Sequence, residues 1–160
     1  MRHDPVHVCA AAVLVPGFRA IVKIDGLRTA AVTATKLAAA PRVSRGRVPQ
    51  TGSANAVAEG AEAMARTVDA VARRMPVRSK CLPRSLALWT MLQRAGIDAT
   101  LRIGMRTDGS GEAHAWVEHD GCPIGEQVDP DALASFSLAS QLPAVLVGAE
   151  RPSERDVGER

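Results

Sequence analysis

The apolar residues of this chain change their period once, at Gly96, and that change dictates the order of its secondary structure. Upstream, Val57, Ala61, Met64, Val68, Val71 and Met75 are spaced 4, 3, 4, 3, 4, which is one stripe along an α-helix. Arg66, Asp69, Arg73 and Arg74 fall away from the stripe. Ser53 or Asn55 can cap its start and Pro76 ends it. A second helix is predicted from about Leu82 to Arg94, with Leu82, Leu86, Trp89 and Leu92 as its buried face. Pro83 fits only in a first turn, where a missing N–H costs nothing, so this helix starts at Cys81 or Leu82. Gly96 is its C-terminal cap.

Downstream of Gly96 the period becomes two. Ile97, Ala99, Leu101, Ile103 and Met105 alternate with Asp98, Thr100, Arg102, Gly104 and Arg106, as in a strand with one wet face. A turn at 107–111 leads to a second strand, Glu112 to Glu118, and His119-Asp120-Gly121 turns the chain into a third, Cys122 to Val128. Helix then successive strands is an α+β order with an antiparallel sheet. A short helix is expected around Asp131 to Ser140, followed by the apolar Ala144-Val145-Leu146-Val147.

The N-terminal side is less regular. Residues 1–40 predict one or two short helical or irregular segments, broken at Pro16-Gly17 and at Asp25-Gly26, with Ala30 to Ala40 favouring helix. Residues 41–53 have loop composition. The division expected is an N-terminal segment and linker over 1–53, a main folded domain over 54–148 and a disordered tail over 149–160. The apolar run Val8 to Val15 suggests a signal peptide only faintly, because Asp4 precedes it and no small-x-small site follows. Eight residues do not span a bilayer, so it predicts a short buried or interfacial segment and no membrane partner.

With 160 residues, 46 % hydrophobic but only two Phe, two Trp and no Tyr, one domain must build its core from Leu, Val, Ile, Met and Ala. Residues 1–80 carry a formal charge of +8 and residues 81–160 one of −5. The basic half could attract an acidic peptide, although arginines on solvated helix faces account for it as well. Without aromatic stacking residues or a recognition motif, the composition speaks against nucleic acid as a partner. Cys9, Cys81 and Cys122 lack CxxC spacing, are widely separated and are odd in number, which argues against a disulfide framework and a zinc knuckle and fits a reducing cytoplasm.

Two residues carry chemistry. Cys81 opens a helix, where the positive end of the helix dipole favours a thiolate. His114 lies in the strand Ala113-His114-Ala115-Trp116-Val117-Glu118, from which an imidazole can accept and return a proton. Together they are the minimum for a cysteine hydrolase or acyltransferase. An orienting group for the imidazole depends on the hairpin register. A two-residue loop, Asp120-Gly121, sets His114 opposite Gln127 and sends Glu126 to the other face. A three-residue loop, His119-Asp120-Gly121, pairs His114 with Glu126. The second register is preferred because it puts a carboxylate beside the imidazole, with Gln127 and Asp129 in reserve. Cys9 reads as packing, Cys122 as a residue facing away from solvent or at a strand edge, and His119 as a turn residue and a poorer base. Arg84 and Ser85, in the turn after Cys81, could bind substrate but are ordinary residues for a helix start.

The blocks Cys81-Leu82-Pro83-Arg84-Ser85-Leu86-Ala87-Leu88, Gly96-Ile97, Arg102-Ile103-Gly104-Met105-Arg106, Ala113-His114-Ala115-Trp116-Val117-Glu118 and Gly125-Glu126 resemble the leader peptidases of lasso-peptide biosynthesis. These are transglutaminase-like cysteine proteases. The resemblance covers roughly residues 55–130. It implies a transglutaminase-like (papain-like) core, with the catalytic helix packed on an antiparallel sheet and Ala-rich helices at the N-terminus. It implies Cys81 as nucleophile, His114 as general base and an acid, here Glu126, as the third member. It implies no metal and no organic cofactor. The substrate would be a precursor leader peptide, presented by a separate PqqD-like leader-recognition protein, with the lasso cyclase as a possible further partner. An amide-forming acyltransferase and a catalytically inactive scaffold are the competing expectations.

Overall fold

The computed structural model describes residues 4–40, 54–76, 80–106, 112–125 and 133–135. Helices α1 (Pro5–Ile24), α2 (Gly26–Ala39), α3 (Ala54–Arg74) and α4 (Cys81–Ala95) precede strands β1 (Thr100–Arg106), β2 (Ala113–His119), β3 (Cys122–Pro123) and β4 (Leu133–Ser135). The strands form one antiparallel sheet in the order β3-β2-β1-β4. This is the α+β arrangement expected from the change of period at Gly96.

The organising element is α4. Leu86, Ala87, Leu88, Trp89, Thr90, Met91 and Leu92 are consecutive and all buried, so the helix is covered around its circumference rather than on one stripe. The cover comes from α1, α2 and α3 on one side and from β1 and β2 on the other. Leu82, expected on the buried face, is only half-buried. At the far end Gly96 adopts φ 83°, and the N–H groups of Gly96 and Ile97 return to the carbonyls of Gln93 and Leu92. Arg94 Nη1 donates to the Leu37 carbonyl at 2.7 Å, joining the last turns of α4 and α2.

The N-terminal helices differ from expectation in one respect. The break at Asp25-Gly26 is present, with Gly26 at φ 82°, but α1 runs unbroken through Pro16-Gly17 for 20 residues. Proline in a helix costs about 3 kcal/mol. Pro16 and Gly17 are exposed, while Ala11, Val15 and Phe18 on the opposite face are fully or nearly fully buried. Burying Val15 and Phe18 contributes about 1.5–3 kcal/mol each, enough to carry the helix through. Asp4 starts it by accepting from Val6 N–H at 2.8 Å. The run Val8 to Val15 is therefore not a short isolated segment, and Cys9, expected in packing, is exposed. By length and composition α1, with mean hydropathy 1.7, could cross a bilayer, a test that core helices and signal sequences also pass. In α2 the buried residues are Ala30, Ala31 and Ala34, whose small size lets its backbone approach α4.

The predicted stripe of α3 is found, with Ala61, Met64, Ala65, Val68 and Ala72 buried. Asp69 is not on the solvated side as expected; it is half-buried at the edge of the stripe. In the sheet, β1 and β2 pair in register with Leu101 opposite Val117 and Gly104 opposite His114. The β2–β3 hairpin corrects the preferred register. His119 pairs with Cys122 and Glu118 with Pro123, so the loop is the two residues Asp120-Gly121. Both have positive φ, 50° and 79°, the type I′ geometry that Asp-Gly favours because its twist matches the strands. β3 ends at Pro123 rather than Val128. Where a helix was expected after Asp131, Leu133–Ser135 instead forms a strand paired with the end of β1. Residues 144–160, including the expected tail, lie outside the described residues.

Phe18→Ala is expected to lower unfolding stability by about 3–5 kcal/mol in a single cooperative transition, measured by chemical denaturation. A loss confined to a separate early transition would show that α1 folds apart from α4.

Candidate active site

Cys81 is the first residue of α4, and no side chain caps this helix terminus and no acid lies in its first turn. Its free backbone N–H groups and the positive end of its dipole therefore lie at the cysteine. Pro83 lies in this first turn, as the sequence required. Cys81 is half-buried. His114, also half-buried, comes from β2, across the sheet interface from α4. The two residues, distant in sequence, line one cleft of about 250 Å³.

A polar contact next to each residue holds them in this relation. Ser85, one turn after Cys81, donates through Oγ to the carbonyl of Ala115, the residue after His114, at 2.7 Å in a buried position. Further along α4, Trp89 Nε1 and Gln93 Nε2 both donate to the Ala99 carbonyl, at 2.8 and 3.0 Å. These bonds fix the rotation and height of α4 against the sheet. Around the imidazole, Gly104 stands opposite on β1 and brings no side chain. The Trp116 ring lies nearly parallel to the His114 ring, with centroids 6.1 Å apart and an angle of 12° between planes. Trp116 is held in turn: its Nε1 donates to Glu118 Oε1 at 2.8 Å, and Arg102 Nε donates to Glu118 Oε2 at 2.9 Å.

The third member expected from the sequence, Glu126, lies outside the described residues, as do Gln127 and Asp129. The register that favoured Glu126 over Gln127 is not the one observed. Its neighbour Gly125 does line the cleft, and is held there. Gly125 N–H donates to Glu62 Oε1 at 3.0 Å. Gly125 has φ +70°, and a Cβ at this position would lie 2.6 Å from Ala65 Cβ, so only glycine lets the chain pass this close to α3.

Two residues that the pattern of the sequence did not single out as a pair also line the cleft. Arg84, one turn after Cys81, forms an ion pair through Nη2 with Oδ1 of Asp69 on α3. Spacing within either helix gives no sign of a contact between two helices. His119 is a structural residue, its Nδ1 donating to the Asp98 carbonyl at 2.6 Å. Cys122 is exposed on the edge strand β3. Among the described residues no group of His, Cys, Asp and Glu could hold a metal ion.

A cysteine at a helix start and a histidine on an antiparallel sheet, lining one cleft, are the layout of thiol-dependent acyl-transfer chemistry. Residues 26–140 match the model of the transglutaminase-like superfamily, and the chain belongs to that superfamily. The match includes α2 and all of α3, α4 and the sheet. Cysteine protease or acyltransferase activity is what this membership suggests. No curated protein and no solved structure matches the chain.

Ser85→Ala is expected to cost about 1–3 kcal/mol, because it strands the buried Ala115 carbonyl. Chemical denaturation checks this, and unchanged stability would mean that this bond does not hold β2 to α4.

Proposed function

We propose that this protein is a cysteine peptidase that removes the leader from a ribosomally made lasso-peptide precursor. The observation that carries the reading is the convergence of Cys81 and His114 on one cleft, at the start of α4 and on β2. The resemblance of the blocks around these two residues to lasso leader peptidases supplies the substrate class.

In the mechanism, His114 takes the proton of Cys81, and the thiolate attacks the carbonyl that joins leader to core. Backbone N–H groups at the start of α4, including that of Cys81, hold the oxyanion. His114 returns the proton to the departing amine of the core peptide, leaving the leader as a thioester on Cys81. Water then attacks the thioester with His114 as base, and the leader leaves as a carboxylic acid with the thiol restored. Glu126 orients the imidazole. Its support is the family pattern and the position of Gly125, the residue before it, at the cleft. The leader is presented by a separate PqqD-like recognition protein, and the freed core passes to the lasso cyclase in the cytoplasm. No metal or organic cofactor takes part.

The test is mass spectrometry of a candidate precursor from the same genomic neighbourhood, incubated with the protein, with and without the neighbouring leader-binding protein. The expected products are leader and core, separated at their junction and gaining one water. Cys81→Ala abolishes the cut, and His114→Ala lowers its rate by about 10³-fold or more. A normal cut by Cys81→Ala would overturn the reading. A product heavier by an added amine, with no free leader acid, would establish the acyltransferase instead.

A further inference from the structure

Arg84 and Asp69 stand in the cleft as a charge-compensated pair, and the reaction above does not use them. Arg84 lies three residues after Cys81, which puts both on the same face of α4 within one turn. Asp69 reaches across from α3 to hold the guanidinium by Nη2. Both side chains line the cleft with Cys81 and His114. They are only partly covered, at 38 % and 26 % exposure, so the pair is open to a bound molecule. One feature marks the guanidinium as more than a surface group: its Nε is out of contact with solvent and has no acceptor among the described residues. Leaving a donor desolvated and unsatisfied costs stability and calls for an explanation.

We propose that this pair determines substrate specificity: Arg84 offers N–H donors to a carbonyl oxygen of the bound acyl group, and Asp69 cancels its charge. The cleft beside Cys81 then takes an uncharged acyl group and does not attract a carboxylate. Five N–H donors in a planar fork allow one edge to engage Asp69 while another faces the ligand. Removing either partner leaves a net charge close to the nucleophile, and that charge selects for or against an anion by Coulomb attraction. The proposal rests on Cys81 being the nucleophile of this cleft, but its test does not need the precursor.

The test compares alkylation of the full chain by iodoacetamide and by iodoacetate, with each cysteine followed by peptide mass mapping. At about pH 9.5 any accessible thiol is largely ionised, whether or not it is activated. The ratio of the two rates at one cysteine cancels its nucleophilicity and reports the local charge. Exposed Cys9 on α1 serves as reference in the same molecule. Asp69→Asn is expected to raise the iodoacetate to iodoacetamide ratio at Cys81 about three- to tenfold, and Arg84→Gln to lower it by a similar factor. Arg84→Lys, which keeps the charge pair, stays within about twofold of the parent, and the ratio at Cys9 does not move. If either single change unfolds the protein, the uncharged Asp69→Asn/Arg84→Gln double variant is decisive: a ratio near the parent's supports a neutral pair, and a larger shift overturns it. A ratio at Cys81 that ignores both single changes overturns the proposal too. A precursor left uncut would instead count against the peptidase, and would leave this result standing.

Discussion

A helix with eight consecutive buried residues cannot sit at the surface of anything. That single constraint, the burial of α4 from Ser85 to Leu92, explains why three other helices and a sheet surround it. Each neighbour brings a different kind of surface. α2 brings Ala30, Ala31 and Ala34 and comes close; α1 brings Val15 and Phe18; α3 brings Met64 and Val68; the sheet brings Leu101 and Val117. A chain nearly without aromatic residues fills its interior this way, with alanines at the close contacts and its two tryptophans fully buried where the sheet begins and runs. The N-terminus of α4 is where this cover gives way to the cleft, and Cys81 is there.

The position of the chemistry follows from the same packing. A thiol and an imidazole must be held to within a fraction of an ångström to exchange a proton, and loops seldom provide that. Here each is borne by a regular element, and the elements are joined by hydrogen bonds from Ser85, Trp89 and Gln93 of α4 to the carbonyls of Ala115 and Ala99. Those donors share the buried surface of α4 with its apolar residues, so polar groups that would be costly if unpaired are used to fix one rotation of the helix. Trp116 does similar work behind His114, and it is itself fixed by Glu118 and Arg102.

What the sequence made legible was whatever depends on neighbours along the chain. The stripe of α3, the start of α4 at a Cys-Leu-Pro step and its end at Gly96, and the two long strands are all short-range signals, and all are present in the structure. Pro16-Gly17 misled for the opposite reason: a local helix-breaking signal was overridden by the burial of Val15 and Phe18 against distant helices. The hairpin misled because Gly121 serves either loop length. A left-handed glycine closes both, and only the positive φ of Asp120 separates them. The loop length is decided by backbone twist, not by which side chain would suit His114. β4 was missed because three residues, Leu133 to Ser135, are too few to show alternation.

The hairpin correction also changes what can orient His114. Had β3 continued to Val128, strand register would have assigned each following side chain to a face. Instead the ladder stops at Pro123, and the chain turns onto α3, where Glu62 takes the N–H of Gly125 and Ala65 leaves room for no side chain there. Pairing in a sheet locates a residue to a face; a tether of this kind locates a backbone atom to a helix. The entry of the chain into position 126 is thus governed by α3, the same helix that supplies Asp69 to the cleft. What α3 fixes is therefore the approach of the chain to the cleft at Gly125, and it does so with a hydrogen bond and a steric limit rather than with a strand ladder.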